Sequence, residues 1–291
     1  FWYSAVAKSG GGVQVKFNAN FGNGAANAAW AMGQLKAAGI PVLPAIADSS
    51  GKGRMAATLA NPGLRAAHVA DIVNLVVSNG YDGIDLDYEG FAFTDGSSSW
   101  AATKPNWTAF IQELGAALHA QGKLLAVTIP PPCSMSGTCS QATGYWVYNM
   151  TGIAPSADRI RIMAYDYSVR GIGPLAPMPW VRAIVQYSAS VMDPARLQIG
   201  VPTYGRAWTR LTSSGAYRLS EAECVRHLVT LGSPVNVGPE GSQASPLVKA
   251  LYRMVAHPLG AEVHVMQPRA KQLREHLLPN VPMSCLYSIS D

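Results

Sequence analysis

Short apolar runs and longer helix-periodic stretches alternate along the chain. Residues 1–7 (FWYSAVA) predict a strand, and the glycine run at 10–12 ends that unit. An Ala-rich helix is predicted over 25–38, stopped by Gly39. A short apolar strand follows at 41–47, with prolines at 41 and 44 that are unusual inside a sheet. A helix at 63–79 ends at Gly80, and a strand is expected at 83–89. After a loop at 91–104, Pro105 is the expected start of a helix over 105–120. Then come a strand at 124–129, a Pro-rich loop, a short helix at 141–151, a strand at 159–167, a helix at 178–191 and a strand at 197–204. Strict strand–helix alternation predicts parallel strands joined by right-handed crossovers. Residues 206–283 read differently: a helix at 219–231, a strand pair near 247–253 and 261–266, and a helix at 268–278. The last strand is expected at 285–289.

The strand at 83–89 is the one around which the rest is organised. Asp82, Asp85, Asp87 and Glu89 place four carboxylates in eight residues. The period of two puts Asp85, Asp87 and Glu89 on one face and Ile84, Leu86 and Tyr88 on the other. An edge strand could expose such an acidic face to water. The apolar, helix-rich flanks favour a buried parallel sheet instead, with the acids facing inward. Asp87 and Glu89 then lie about 7 Å apart along the strand, close enough for their side chains to lean together. Burial and a negative neighbour both raise a carboxyl pKa. Glu89, nearest the C-terminal strand end, is the natural proton donor, Asp87 its tuning neighbour and Asp85 the deeper support.

Composition narrows the classes. The 291 residues are 48% hydrophobic and only 13% charged, with 28 Gly and 20 Pro, which suits one large loop-rich domain over 1–291. The net charge of +5 comes without a Lys/Arg run, so no nucleic-acid partner is expected. No apolar run approaches a membrane span of about 20 residues. The chain opens without an initiator Met or leader, as expected of a mature or trimmed product, which says nothing against secretion. Cys133 and Cys139 sit six apart in a Pro/Ser/Gly loop and are candidates for a small disulfide, the alternative being two free thiols. Cys224 and Cys285 are expected as buried free thiols. No metal-binding spacing occurs, and no metal or cofactor is implied.

The stretch Asp82-Gly83-Ile84-Asp85-Leu86-Asp87-Tyr88-Glu89 resembles the D-G-x-D-x-D-x-E signature of family-18 glycoside hydrolases, the chitinase family, at all five defined positions. Met163-Ala164-Tyr165-Asp166 resembles that family's M-x-Y-D motif, and Gly200-Val-Pro-Thr-Tyr204-Gly-Arg206 its G-x-P-x-Y-G-R. The resemblance implies an α/β, TIM-type (β/α)8 barrel with chemistry at the C-terminal strand ends. Seven strands are counted. With the acidic strand as the family's fourth, the first is absent, and the barrel is expected to be incomplete. Open edges would then lie at 1–7 and 285–289, inviting self-association. Residues 206–266 look like a reduced form of the α+β insertion that follows the family's seventh strand.

The resemblance further implies hydrolysis of β-1,4 bonds next to N-acetylglucosamine, in chitin or chitooligosaccharides, with retention and assistance from the substrate's own acetamide. Glu89 would be the acid and base, Asp87 would hold the acetamide N–H, Asp85 would support it, and Tyr165 would fix the acetamide oxygen. Met163, Tyr204, Arg206 and Tyr287 would contact substrate; Asp166 would either contact substrate or brace Asp87. Two departures stand out. Residues 45–51 (AIADSSG) replace the usual S-x-G-G, and Tyr287 stands where a Trp usually floors the cleaved subsite. The loop 171–180 resembles the spore-cortex and peptidoglycan-active branch. The competing readings are a chitin-lectin-like glycan-binding protein, which would typically lack Glu89, and a peptidoglycan N-acetylglucosaminidase. Secretion is the expected localisation.

Overall fold

The computed structural model describes residues 2–8, 11–17, 24–169, 173–200, 202, 207–210 and 217–220. They belong to two compact units: Phe1–Met163 with Ala183–Ile199, and Ala164–Arg182 with Gly200–Asp291. In the first unit, chain order runs β1 (Trp2–Ala7), β2 (Val13–Phe17), α1 (Gly24–Ala37), β3 (Ala45–Asp48), α2 (Arg54–Ala60), α3 (Pro62–Ser78) and β4 (Gly83–Asp87). A π-helical turn (Phe91–Asp95), α4 (Trp100–His119), β5 (Leu124–Ile129), α5 (Met150–Ile153) and β6 (Arg159–Met163) follow. Helix α6 (Met178–Val191) leads to β7 (Leu197–Gly200).

The sheet order is β2-β1-β3-β4-β5-β6-β7. Strands β1, β3, β4, β5 and β6 pair in parallel, while β2 runs antiparallel to β1. This is an incomplete TIM-type barrel: among the described residues the sheet does not close. It has seven strands, but not the seven expected, since β2 enters and 285–289 lies outside the described residues. The edge expected to be open at 1–7 is covered by β2 over five register pairs, Tyr3↔Phe17 to Ala7↔Val13. The glycine run is the turn of this hairpin: Gly11 (φ 91°) and Gly12 (φ 78°) take the left-handed conformation, and Lys8 N donates to Gly12 O at 3.0 Å. Alternation of Val13, Val15 and Phe17 with Gln14 and exposed Lys16 suits an edge strand.

Two aspartates lock strands together by the same device. Val42 N donates to Asp82 Oδ2 at 2.8 Å, and Asp82 N returns a bond to Val42 O. Ahead of β6, Leu125 N donates to Asp158 Oδ2 at 2.7 Å while Asp158 N bonds Leu125 O. Asp82, the first acid of the motif, is therefore a structural bracket. Helix α3 starts on Asn61, whose Oδ1 accepts from Gly63 N and Leu64 N, with Pro62 at its first position.

Several boundaries differ from expectation. Strand β3 starts at Ala45, past Pro44, where the backbone is free to pair. Helix α2, between the strand expected at 41–47 and the helix expected at 63–79, carries buried Met55 and Leu59. Helix α4 begins at Trp100, so Pro105 lies inside it; the Trp100 indole N–H, donated to Phe91 O at 2.7 Å, anchors this earlier start. The helix expected over 141–151 breaks at Asn149 (φ 46°), whose amide donates to Thr108 Oγ1, leaving a 3-10 turn and the four-residue α5. Strands β4 and β6 end at Asp87 and Met163, short of the expected limits, and most of the expected extension of β7 to 204 lies outside the described residues. In the second unit β8 (Ala207–Arg210) and β9 (Tyr217–Ser220) form an antiparallel hairpin, so 219–220 is strand where a helix was expected to begin. The rest of the expected insertion, with Cys224 and Cys285, lies outside the described residues.

Candidate active site

Strand β4 is buried at every position. Its outward face packs into aromatic rings. Fully buried Tyr88, just beyond the strand, hydrogen-bonds His68 Nε2 at 2.7 Å, and its ring lies beside Phe110 and Trp107. This packing fixes the strand end that carries the acids.

The inward face is built from small neighbours and a few polar groups. Register sets Ala45 and Ala126 beside Asp85 and Ala47 beside Asp87, which leaves room for the carboxylates. Thr128 and Arg161 stand opposite each other on β5 and β6, and both reach Asp85. Thr128 Oγ1 donates to Asp85 Oδ1 at 3.0 Å, and Arg161 Nη1 pairs with Asp85 Oδ2. Arg161 Nε in turn donates to Gln198 Oε1 at 2.6 Å. Burial pushes the Asp85 carboxyl up, and Arg161 and Thr128 pull it back.

Among the described residues Asp87 has no such cation. Burial first, then the charges of Glu89 and Asp85, raise its pKa to about 7. It shares a hydrogen bond with Glu89, which sits two residues on and is partly exposed. Two carboxyl groups can bond this way only if one carries a proton, because an ionised carboxylate only accepts. Among the described residues Asp87 Oδ1 finds no donor, although it is buried. The arrangement can therefore present a proton at Glu89 and an acceptor at Asp87 a few ångströms apart, which is acid–base chemistry.

Around this pair lie groups that sequence reasoning missed. Asp48 closes β3, its Oδ1 accepting from Ser50 N at 2.8 Å; burial raises its pKa, the Ser50 bonds oppose this, and Asp95 adds to the rise. Its Oδ2 lies 2.7 Å from where a Cβ on Gly90 would stand, so a larger residue directly after the acid would require the Asp48 carboxylate to shift. Tyr148 donates to Tyr88 O at 2.6 Å, and its phenol is held protonated by burial, with the negative charge of Glu89, Asp87 and Asp48 adding to the effect. The π-helical turn after Glu89 presents Phe93, 58% exposed, with Tyr145 edge-on at 5.3 Å. Trp100 touches both Tyr145 and Trp146, so an aromatic patch borders the acids. Arg161 was legible in principle, since it shares a strand face with Met163 two residues on; Tyr148, in a loop, carried no local signal.

The other expected site residues fall as follows. Asp85, Asp87 and Glu89 are brought together, and Met163 ends β6. Tyr165 and Asp166 belong to the second unit. There Asp166 adopts φ 58°, and Tyr167 N donates to Leu175 O while its ring meets Trp180. Tyr204, Arg206 and Tyr287 lie outside the described residues. Cys133 and Cys139 are joined in a disulfide that closes the loop after β5. Among the described residues no cluster of three or more His, Cys, Asp or Glu is arranged to hold a metal, and no helix is long and apolar enough to cross a membrane.

Comparison with known proteins agrees with this fold. A chitinase from Chromobacterium violaceum ATCC 12472 superposes with a TM-score of 0.60 at 23% identity, over 78% of this chain and 66% of that one. The spore cortex-lytic enzyme SleL of Bacillus megaterium QM B1551 gives 0.53 at 17% identity, over 71% and 47%. In sequence the chain is 27% identical over 186 residues to YdhD of Bacillus subtilis (strain 168), named as a sporulation-specific glycosylase, covering 62% of this chain. It is 31% identical over 183 residues to chitotriosidase-1 of Mus musculus, covering 55% of this chain. The matches span 41% and 36% of those two relatives' lengths. The model of the glycosyl hydrolases family 18 matches residues 13–245, which takes in the whole acidic strand and most of the sheet, and the chain belongs to that family.

Proposed function

We propose that the chain is a retaining glycoside hydrolase that cleaves β-1,4 bonds in polymers of N-acetylglucosamine, chitin or chitooligosaccharides, with the substrate's acetamide as nucleophile. The observation that carries this reading is the Asp87–Glu89 pair, two adjoining carboxyls in which burial and the neighbouring charges raise the Asp87 pKa to about 7, with Asp87 Oδ1 finding no donor among the described residues. Glu89 gives its proton to the glycosidic oxygen as that bond breaks. The acetamide oxygen attacks the anomeric carbon to form an oxazolinium ion, as in the substrate-assisted members of this family. Asp87 takes the acetamide N–H and offsets the positive charge that develops on the ring. Ionised Glu89 then removes a proton from water, which opens the oxazolinium. Tyr165 is assigned the acetamide oxygen, Met163 and Asp166 the sugar at the cleaved position, and Tyr204, Arg206 and Tyr287 further substrate contacts. Phe93 and Tyr145 are suited to stacking against a sugar face.

Similarity to chitotriosidase-1 and to the Chromobacterium violaceum chitinase supports chitin as the substrate class. A second reading, peptidoglycan of the spore cortex, is favoured by the YdhD and SleL names. The disulfide supports an oxidising, extracellular location.

The test is hydrolysis and binding of a short chitooligosaccharide and of purified cortex peptidoglycan by wild type and by Glu89→Gln. We expect turnover by wild type and a loss of at least ~100-fold in the variant, with binding retained. Binding by wild type without turnover on either substrate would make the chain a glycan-binding protein. Turnover confined to peptidoglycan would select the second reading.

A further inference from the structure

The deepest acid of the site is neutralised by an arginine, and this bears on where the site's proton can go. Asp85 is 95% removed from solvent, yet both its oxygens have donors, Thr128 from β5 and Arg161 from β6. Arg161 is itself braced by Gln198 on β7 and stays one-third exposed. A chain of contacts across four adjacent strands thus ends on one carboxylate. A buried carboxyl beside another has two ways to avoid an unpaired charge: it can share a proton with its neighbour, or it can pair with a fixed cation. The geometry takes the second course at Asp85 and the first at Asp87.

We propose that Arg161 is a positioning residue for the reaction: by pairing with Asp85 it keeps this inner carboxyl an anion and so confines the single shared proton to Asp87 and Glu89. The inference rests on the catalytic reading above and adds to it a determinant of protonation. Among the described residues, groups that face the pair include Asp85 on the same strand, Asp48 at the end of β3, the Tyr148 phenol and, through Asp48, Asp95 of the π-helical turn. Arg161 is the cation seen to pair with an acid of this group. Without it, Asp85 would take up a proton of its own and could donate to Asp87. Asp87 would then lose both the repulsion of an anion below it and the need to keep the proton it shares with Glu89.

Carboxyl 13C NMR of aspartate-labelled protein, titrated from pH 4 to 9, tests this. In wild type the Asp87 resonance should titrate near pH 7 while Asp85 stays ionised until clearly lower pH. In Arg161→Met, Asp85 should titrate at higher pH than in wild type and Asp87 lower, by about one pH unit, whereas Arg161→Lys should keep the wild-type order. Asp85 titrating together with Asp87 in wild type, or Asp87 unmoved in Arg161→Met, would overturn the proposal. Should Arg161→Met fail to fold, Asp85→Asn decides: removing the inner anion must lower the Asp87 titration, and an unmoved Asp87 again overturns it. With substrate, the alkaline limb of kcat/KM should move down by about one pH unit in Arg161→Met with KM little changed. An arginine that merely braces the fold would lower kcat without moving that limb. The NMR arm needs no turnover, so a wild type that hydrolyses nothing would sink the catalytic reading and leave this one to be judged separately.

Discussion

The two faces of strand β4 are equally buried and built for opposite ends. On the outward face Ile84, Leu86 and Tyr88 meet helices α3 and α4 through Phe110, Trp107 and His68. On the inward face Asp85 and Asp87 are taken out of water beside Glu89. The outward face gains from burial, roughly 1.5–3 kcal/mol for each large apolar side chain. The inward face loses by it, since burial raises the carboxyl pKa of both Asp85 and Asp87, and of these two it is Asp85 that has a cation, Arg161, across from it among the described residues. One strand can therefore store electrostatic tension because its other face is held by close packing, and a group kept part-protonated by that tension is what acid catalysis requires.

The largest effect should come from breaking the packed face. Trp107 is fully buried, touches Tyr88, Phe91 and Tyr148, and donates its indole N–H to Tyr148 O at 3.0 Å. Trp107→Ala should cost about 3–5 kcal/mol in denaturant unfolding, and the acid pair should lose its raised titration with it. The strained face should respond with the opposite sign. The folded pKa of Asp87, about 7, lies above the ordinary 3.8. Between these values the fold keeps a proton that the unfolded chain has released. This contribution is fully present below pH 4 and lost as pH rises through 7. Asp87→Asn should thus stabilise the protein at pH 8, by up to about 4 kcal/mol, while hydrolysis falls.

His68 gives the reverse dependence on the packed side. Burial lowers its pKa from 6.5 to about 4. In that interval the unfolded chain binds a proton that the fold excludes, so stability falls as pH drops from 6.5 to 4, by up to about 3 kcal/mol. Melting curves of His68→Gln at pH 4.5 and 7 should lie closer together than those of wild type. The smallest effect is that of Tyr88→Phe. It removes the bond to His68 Nε2 at 2.7 Å and should cost about 1–2 kcal/mol while leaving the pH dependence of hydrolysis in place. A shift in that dependence would mean the two faces are not independent.

How far the chain was legible depends on the range of the interactions involved. The acidic strand was readable because the period of two is local: Asp85 and Asp87 fall on one face of β4 as expected, with Glu89 brought to Asp87 just beyond the strand's end. Helices α1, α3 and α6 began and ended close to their expected limits, where Gly39, Gly80 and amphipathic spacing act within a few residues. The hairpin strand β2 was missed because glycines at 10–12 stop a strand and turn a hairpin equally well, and only the alternation at 13–17 distinguishes the two. Pro105 misled because a proline that can open a helix also fits early within one already anchored by Trp100. Arg161 and Thr128 reach Asp85, and Tyr148 the carbonyl of Tyr88, from distant parts of the chain; the period of two sets Arg161 on the face of Met163 but no local pattern pairs it with Asp85.

The central claim is that the acid pair works by a retaining double displacement and not by direct attack of water. The anomeric configuration of the first product decides it most directly. Proton NMR of a chitooligosaccharide, followed during the first minutes of hydrolysis by the wild-type chain, should show the β-anomer appearing first and the α-anomer only later by mutarotation. Initial release of the α-anomer would mean direct attack by water on the opposite face, and Asp87 and Glu89 would then need different roles from those assigned to them here.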